Sequence, residues 1–191
     1  MKPRILVVFT GGTFSMRFDK ETGGDKPRLG GDELMAMMPE VAELADVTPL
    51  DFGKYPGPHM TPALMFELSK RVRGELERNR YDGVVITHGT DTLEETAYLL
   101  DLTLATDAPV VVTGSMRSSS EPDWDGPRNV ADSIRVCLNP NCRGIGVLVC
   151  LNGEINAAGE VTKTHTEDIE TFHSLDFGAL GFVQRGRVVL N

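Results

Sequence analysis

The sequence has little of what builds metal sites and covalent cross-links. Its 191 residues include three cysteines (Cys137, Cys142 and Cys150) and four histidines. The cysteines lack the paired short spacing of zinc sites, and an odd number does not make a disulfide framework. No H-E-x-x-H pattern occurs. Neither a metal nor any other cofactor is expected. Cys137 falls on the apolar side of a predicted helix and Cys150 in an apolar strand, so these thiols are expected to be buried. Long apolar runs are also missing, where a membrane-spanning helix needs about 20 such residues. Ile5 to Phe9 follows Lys2 and Arg4 but is too short for a signal-peptide core and stops at Gly11-Gly12. It reads as a strand, and the protein as cytoplasmic. Positive charge is scarce: 19 Lys and Arg stand against 28 Asp and Glu, a formal net charge of −9. An acidic surface repels phosphate backbones and anionic lipid, so no nucleic acid and no membrane is expected as a partner. There is no internal repeat, low-complexity tract or clear linker.

What remains is an ordinary globular composition, with 40% hydrophobic and 25% charged residues. The length suits one domain with a sizeable core. Strand and helix signals alternate. Ile5 to Phe9 is a continuous apolar run, as in a strand covered on both faces. Asp32 is a candidate cap for a short helix ending near Pro39. Val47 to Phe52 is a weaker strand signal. Thr61-Pro62 predicts a helix start, with a capping hydroxyl and proline in the first turn. Leu64, Leu68, Val72 and Leu76 then form one apolar stripe. Gly83 to Thr87 is a strand, Thr92 and Glu95 match a capping box, and the helix behind them runs to about Ala105. Val110 to Thr113 is a strand. Asp125-Gly126-Pro127 opens a helix to about Leu138, and Gly146 to Cys150 is a strand. Residues 162–171 read as loop. Phe182-Val183 and Val188 to Leu190 flank Arg185-Gly186 as a carboxy-terminal β-hairpin. This rhythm predicts an α/β fold, a mostly parallel sheet flanked by helices on both faces.

Two predicted loops are long, 10–31 and 114–126, and long loops in compact domains are often functional. Open α/β sheets bind ligands beyond the carboxyl ends of their strands. Thr10-Gly11-Gly12-Thr13, His88-Gly89-Thr90-Asp91-Thr92 and Gly114-Ser115-Met116-Arg117 all follow strands. Each also has a purely structural reading. Gly11-Gly12 suits a tight turn, Thr92 a helix cap, Asp125 a turn and helix start, and His88 a hydrogen-bonded core histidine. Gly-Gly-Thr matches neither the P-loop nor the dinucleotide spacing.

Together the segments are specific. Thr10-Gly-Gly-Thr13, Thr87-His-Gly-Thr-Asp-Thr92 and Val161-Thr-Lys-Thr164 resemble the bacterial-type L-asparaginase family. Thr87 through Tyr98 is similar to that family's second signature almost residue for residue. Val112 to Arg117 and Asp125 to Asn129 match too. The resemblance covers residues 1–191 in order and corresponds to the family's larger, amino-terminal domain. It implies hydrolysis of L-asparagine to L-aspartate and ammonia, often with some activity on L-glutamine, and a homo-oligomer in the full-length form. Carried over, Thr13 matches the nucleophile, and Thr90, Asp91 and Lys163 the second catalytic cluster. Asp91 would also hold the substrate's α-ammonium group. Ser115 matches a position at the amide end of the pocket. Gly57, Pro58 and His59 fall in the substrate-carboxylate loop. Gly89, with Gly12, would offer backbone N–H groups to an oxyanion. A threonine hydroxyl needs activation to attack near neutral pH. A lysine beside Thr90 can relay a proton where burial disfavours its charge, and a neighbouring aspartate acts the other way.

The chain also departs from the family. The family places a tyrosine in the loop after the first signature, but here no tyrosine lies between Thr13 and Tyr55, and Phe14 and Phe18 carry no hydroxyl. The carboxylate loop, Gly57-Pro58-His59-Met60, lacks the family's serine. The family's smaller carboxy-terminal domain has no counterpart before Asn191, so a fragment of a longer enzyme is expected. Two alternatives stay open. One is the ammonia-releasing subunit of a tRNA-dependent amidotransferase, which shares these signatures. The other is a catalytically silent domain that binds an amino acid.

Overall fold

Strand β1 (Arg4–Gly11) shows why its run of apolar residues is unbroken. Ile5, Val7 and Phe9 enter one hydrophobic cluster, while Leu6 and Val8 enter a second on the opposite face. Successive side chains of a strand point to opposite faces, so both faces must be covered. Ile5, Leu6, Val7 and Val8 are all 0% exposed. Burial of each such side chain stabilises by about 1.5–3 kcal/mol relative to exposure. The structure is a computed structural model that describes residues 2–19 and 23–191.

After β1 a small hairpin, β2 (Met16–Asp19) with β3 (Gly24–Pro27), forms a separate two-stranded sheet. The long loop predicted over 10–31 thus carries structure of its own, and its residues 20–22 lie outside those described. Helix α1 (Gly31–Ala36) follows. Asp32 sits in its first turn rather than at the cap, because Gly30 takes the cap position with its N–H donated to Glu33 Oε2 at 3.0 Å. The short α2 (Val41–Leu44), not predicted, precedes β4 (Asp46–Tyr55), which is longer than the predicted 47–52.

Helix α3 (Pro62–Arg78) begins as predicted, with Thr61 accepting the Leu64 N–H at 3.3 Å. Then come β5 (Gly83–Thr87), α4 (Leu93–Thr103), β6 (Val110–Thr113), α5 (Gly126–Leu138) and β7 (Val147–Leu151). The last third holds five short strands: β8 (Glu154–Ala157), β9 (Val161–Lys163), β10 (Phe172–Ser174), β11 (Gly181–Gln184) and β12 (Arg187–Leu190). The predicted terminal hairpin is β11–β12, and it turns at Arg185 (φ 51°) and Gly186 (φ 74°).

The main sheet runs β12-β11-β8-β7-β6-β5-β1-β4. From β4 to β7 neighbouring strands are parallel, and the β8, β11 and β12 end is antiparallel. Val130, Ile134 and Cys137 of α5 cover one face with Val41 of α2. Leu68 and Val72 of α3 cover the other with Leu93, Ala97 and Leu100 of α4. Helices on both faces of a mostly parallel sheet are the predicted arrangement. Cys137 and Cys150 are free and buried, as expected, Cys142 is buried as well, and burial pushes all three thiols up from their ordinary range. No described helix is long and apolar enough to cross a membrane.

Candidate active site

Parallel pairing sets several strand ends side by side. Phe9 is in register with Thr87, Thr87 with Thr113, and Gly11 with Tyr55. The loops after β1, β4, β5 and β6 therefore leave the sheet at one end. In chain order the parallel strands are β1, β4, β5, β6 and β7, but in space β1 lies between β4 and β5. The connection after β1 leads to β4 on one side and that after β5 leads to β6 on the other, and a crevice at such a switch point is where open α/β sheets bind ligands.

Two glycines allow the loops to meet in that crevice. A β-carbon on Gly12 would lie 2.3 Å from the Gly89 Cα, and one on Gly89 would lie 2.6 Å from the Gly57 Cα. Backbone touches backbone, so no side chain fits between. Gly12 also adopts φ 68°, ψ −170°, a region essentially confined to glycine. Its N–H donates to the Tyr55 carbonyl at 2.8 Å, which ties the β1 loop to the end of β4. Thr13 follows directly. It is half-buried and opens a single 3-10 turn, Thr13–Ser15.

The second threonine lies beyond Gly89. Thr90 is buried, and its Oγ1 accepts from Lys163 Nζ at 2.9 Å. The same ammonium pairs with Asp91 Oδ1 at 2.9 Å. The Lys163 side chain is 15% exposed and that of Asp91 58%, so the carboxylate faces solvent while the lysine is largely sheltered. Thr90, Asp91 and Lys163 are thus one hydrogen-bonded group, 72 residues apart in sequence for the ion pair. Lys163 comes from β9, which lies outside the main sheet and pairs with β10 alone.

The other predicted site residues divide. Gly57 is buried, and a β-carbon there would lie 3.3 Å from the Asp91 Cβ. Pro58 and His59 sit in the same 3-10 turn but are exposed. Ser115 is 0% exposed, with its hydroxyl on Asp125 Oδ1 at 2.8 Å and against the Arg117 carbonyl. Asp125 does more than open a helix. Its carboxylate also accepts from Met116 N at 3.1 Å, Arg117 N at 2.9 Å and Asn129 Nδ2 at 3.0 Å, pinning the β6 loop to the start of α5. Thr92 does not make the predicted capping box. Its backbone, at φ −133° and ψ 23°, is off the extended conformation usual for a cap, and its hydroxyl donates to the Gly57 carbonyl at 2.8 Å. A cavity of about 530 Å³ lies between β4 and α3, lined by Leu50, Phe52, Lys70, Arg71 and Arg78 among others, and holds none of these groups.

The model of the asparaginase amino-terminal domain matches residues 4–191. The chain belongs to the asparaginase family. It is 37% identical over 188 residues to a probable periplasmic L-asparaginase of Haemophilus influenzae, covering 97% of this chain and 53% of that protein. It is 37% identical to L-asparaginase 2 of Bacillus subtilis, covering 95% of this chain and 49% of that one. A solved structure, a probable cytoplasmic L-asparaginase from Campylobacter jejuni, superposes with a TM-score of 0.90 at 35% identity, over 100% of this chain and 57% of that chain. The chain spans about half the length of the curated relatives it matches. Relatives named periplasmic and cytoplasmic both occur, so kinship assigns no compartment.

Within this asparaginase domain His88 is a structural residue. Its ring is buried between the Gly89 carbonyl, 2.8 Å from Nδ1, and the Thr96 hydroxyl, 2.9 Å from Nε2. The Gly89 carbonyl can only accept, so Nδ1 carries a proton, and burial keeps the ring neutral, which leaves Nε2 to accept from the Thr96 hydroxyl. Burial lowers its pKa from 6.5 to about 4, against a smaller upward push from the Gly89 carbonyl. Between those two values the unfolded chain takes up a proton that the folded chain refuses. Stability is therefore full above pH 6.5 and declines as the pH falls toward 4, by on the order of 3 kcal/mol. Urea midpoints of the native chain and of His88→Gln at pH 7 and 4.5 test this, and equal declines in both would refute the assignment.

Tyr55 ends β4 and does not lie in the loop after Thr13. Its carbonyl binds Gly12, but its ring lies over Gly53 and 6.1 Å from the Phe52 ring. The sequence reading also passed over Glu94, whose carboxylate accepts from Lys163 N at 2.6 Å and Thr162 Oγ1 at 3.2 Å. Its place within the signature over residues 87–98 and the acidic first turn of α4 were the signals that could have pointed to it.

Proposed function

We propose that this chain supplies the catalytic groups of an amidohydrolase that converts L-asparagine to L-aspartate and ammonia. The observation that carries the reading is the Lys163 ammonium 2.9 Å from both Thr90 Oγ1 and Asp91 Oδ1, on the loop that touches the Gly12-Thr13 loop. Names of relatives such as L-asparaginase 2 support it, as does the name glutaminase-asparaginase for one from Acinetobacter glutaminasificans at 33% identity.

In this reading Thr13 Oγ1 attacks the side-chain amide carbon. The hydroxyl proton passes through the Thr90–Lys163 pair to the departing nitrogen, the C–N bond breaks, and ammonia leaves. Water then cleaves the threonine ester, which restores the Thr13 hydroxyl and frees aspartate. Backbone N–H groups at Gly12 and Gly89 stabilise the oxyanion. Asp91 holds the substrate's α-ammonium group, and its exposure leaves one oxygen free for that contact. Gly57, Pro58 and His59 face the α-carboxylate, and Ser115 shapes the amide end through its bond to Asp125. As arranged, Lys163 donates to Thr90, so the Thr90 hydrogen is free to point at substrate. No cofactor takes part. Association of copies belongs to the same proposal, supported by the apolar side chains of Leu175 and Phe177, which are 70% and 81% exposed.

Ammonia release from L-asparagine and L-glutamine, measured on this chain and on any longer natural form, tests the reading. Turnover of asparagine is expected. Binding of asparagine with no ammonia from either amide would overturn it in favour of a silent binding domain, a reading supported by the lack of any hydroxyl-bearing ring among residues 14–54.

A further inference from the structure

The lysine of the candidate site stands on weak footing. Strand β9 has three residues, is not part of the main sheet, and meets β10 at three positions; Val161 packs into the core, but Thr162 and Lys163 lie beyond it. The Thr90-Asp91 loop, in contrast, grows from β5, which is fully buried between β1 and β6. The Lys163 side chain must cross from one unit to the other and hold two distances of 2.9 Å. A side chain with four rotatable bonds does not hold such a position unless its backbone is anchored.

Glu94 is that anchor. It lies in the first turn of α4, rigidly joined to Asp91 through the start of the helix. Its carboxylate reaches β9 with both oxygens: Oε2 accepts the Lys163 N–H at 2.6 Å and Oε1 accepts the Thr162 hydroxyl at 3.2 Å. Hydrogen bonds to a carboxylate are among the stronger ones. A negative charge in the first turn of a helix is also favoured by the helix dipole. The pair of bonds fixes both the height and the rotation of β9 relative to α4. Glu94 touches no group that reacts.

We infer that Glu94 is a positioning residue that sets the Lys163 ammonium against Thr90 by clamping the backbone of β9. The inference rests on the proposed roles of Thr90 and Lys163. Remote misplacement of a catalytic group by about 1 Å costs up to 10²-fold in rate, so Glu94→Ala is expected to lower kcat for asparagine by about 10- to 100-fold. KM should change less than threefold, because Asp91 and Gly57 keep their places. Glu94→Gln should recover most of the rate. Its amide oxygen still accepts the Lys163 N–H, and the Thr162 hydroxyl can turn to accept from the amide nitrogen.

Hydrogen exchange provides the second measurement. In Glu94→Ala the peptide covering residues 161–165 should exchange faster, while β5 and α5 peptides and the thermal midpoint stay near those of the native chain. A kcat within twofold of native, a Gln variant no better than Ala, or unchanged exchange over 161–165 would each overturn the assignment. Loss of protection throughout the domain would also overturn it, since that marks general destabilisation. Should neither this chain nor a longer natural form release ammonia, the proposed function fails by itself, and the exchange result still decides whether Glu94 holds β9.

Discussion

Lys163→Met should release ammonia from asparagine at a rate about 10²- to 10⁴-fold below the native chain, the range usual for loss of a placed acid–base group. Thr13→Ala should lose at least as much, because the other hydroxyl of that turn, Ser15, is buried and donates to the Gly12 carbonyl at 3.2 Å. The two changes are informative as a pair. Groups that act in one proton relay are strongly non-additive. The double variant should therefore be hardly slower than the worse single one, whereas independent contributions would multiply. The fold should survive both substitutions. Thr13 is half-buried at a loop, and the Lys163 ion pair with the 58%-exposed Asp91 is too solvated to matter much for stability. Lys70→Met is the control. It also removes a lysine–carboxylate pair, with Glu67 at 2.9 Å, but on the outer face of α3. If Lys70→Met and Lys163→Met have equal effects, charge alone is at work and the relay is wrong.

Gly12→Ala should harm both the fold and the site. The backbone region at φ 68°, ψ −170° costs a side-chain-bearing residue about 1–3 kcal/mol. The new methyl would also sit 2.3 Å from the Gly89 Cα and 2.5 Å from its nitrogen. Neither atom is the tip of a flexible side chain, so the two loops must part, and overpacking of this kind costs about 1–3 kcal/mol more. Parting them moves Thr13 away from Thr90, so ammonia release should fall by at least about 10²-fold. Gly178→Ala separates strain from contact. Gly178 has φ 78°, with nothing within 4 Å of its would-be β-carbon, so only the backbone penalty should appear. Urea midpoints and asparagine turnover on both variants decide the point. Equal losses would mean that the Gly12–Gly89 contact carries no special weight.

Local signals held wherever the cause was local. The run Ile5 to Phe9 alternates between two cores, and its unbroken apolarity was the mark of a strand covered twice. Thr61-Pro62 starts α3 because a hydroxyl and a proline satisfy a helix end within four residues. Arg185-Gly186 turns the last hairpin because both positions need positive φ. The short strands β8, β9 and β10 were not legible. Three or four residues carry too little periodicity, and their pairing comes from residues elsewhere in the chain. Polar residues were legible by position but not by partner. Thr92 and Asp125 do stand at the starts of α4 and α5, but their side chains are taken up by the Gly57 carbonyl and by the β6 loop, partners that no local window contains.

The types of the chemical groups and the loops that bear them could be read from residue order alone, through the Thr-Gly-Gly-Thr, Thr-His-Gly-Thr-Asp-Thr and Val-Thr-Lys-Thr segments. Their meeting could not. That required β1 to lie between β4 and β5, two glycines to let backbones touch, and a three-residue strand outside the sheet to be held by Glu94. Strand order and close approach depend on which surfaces bury one another across the whole chain. A side chain's distance to a partner 72 residues away is set by that packing and by nothing in its immediate neighbours.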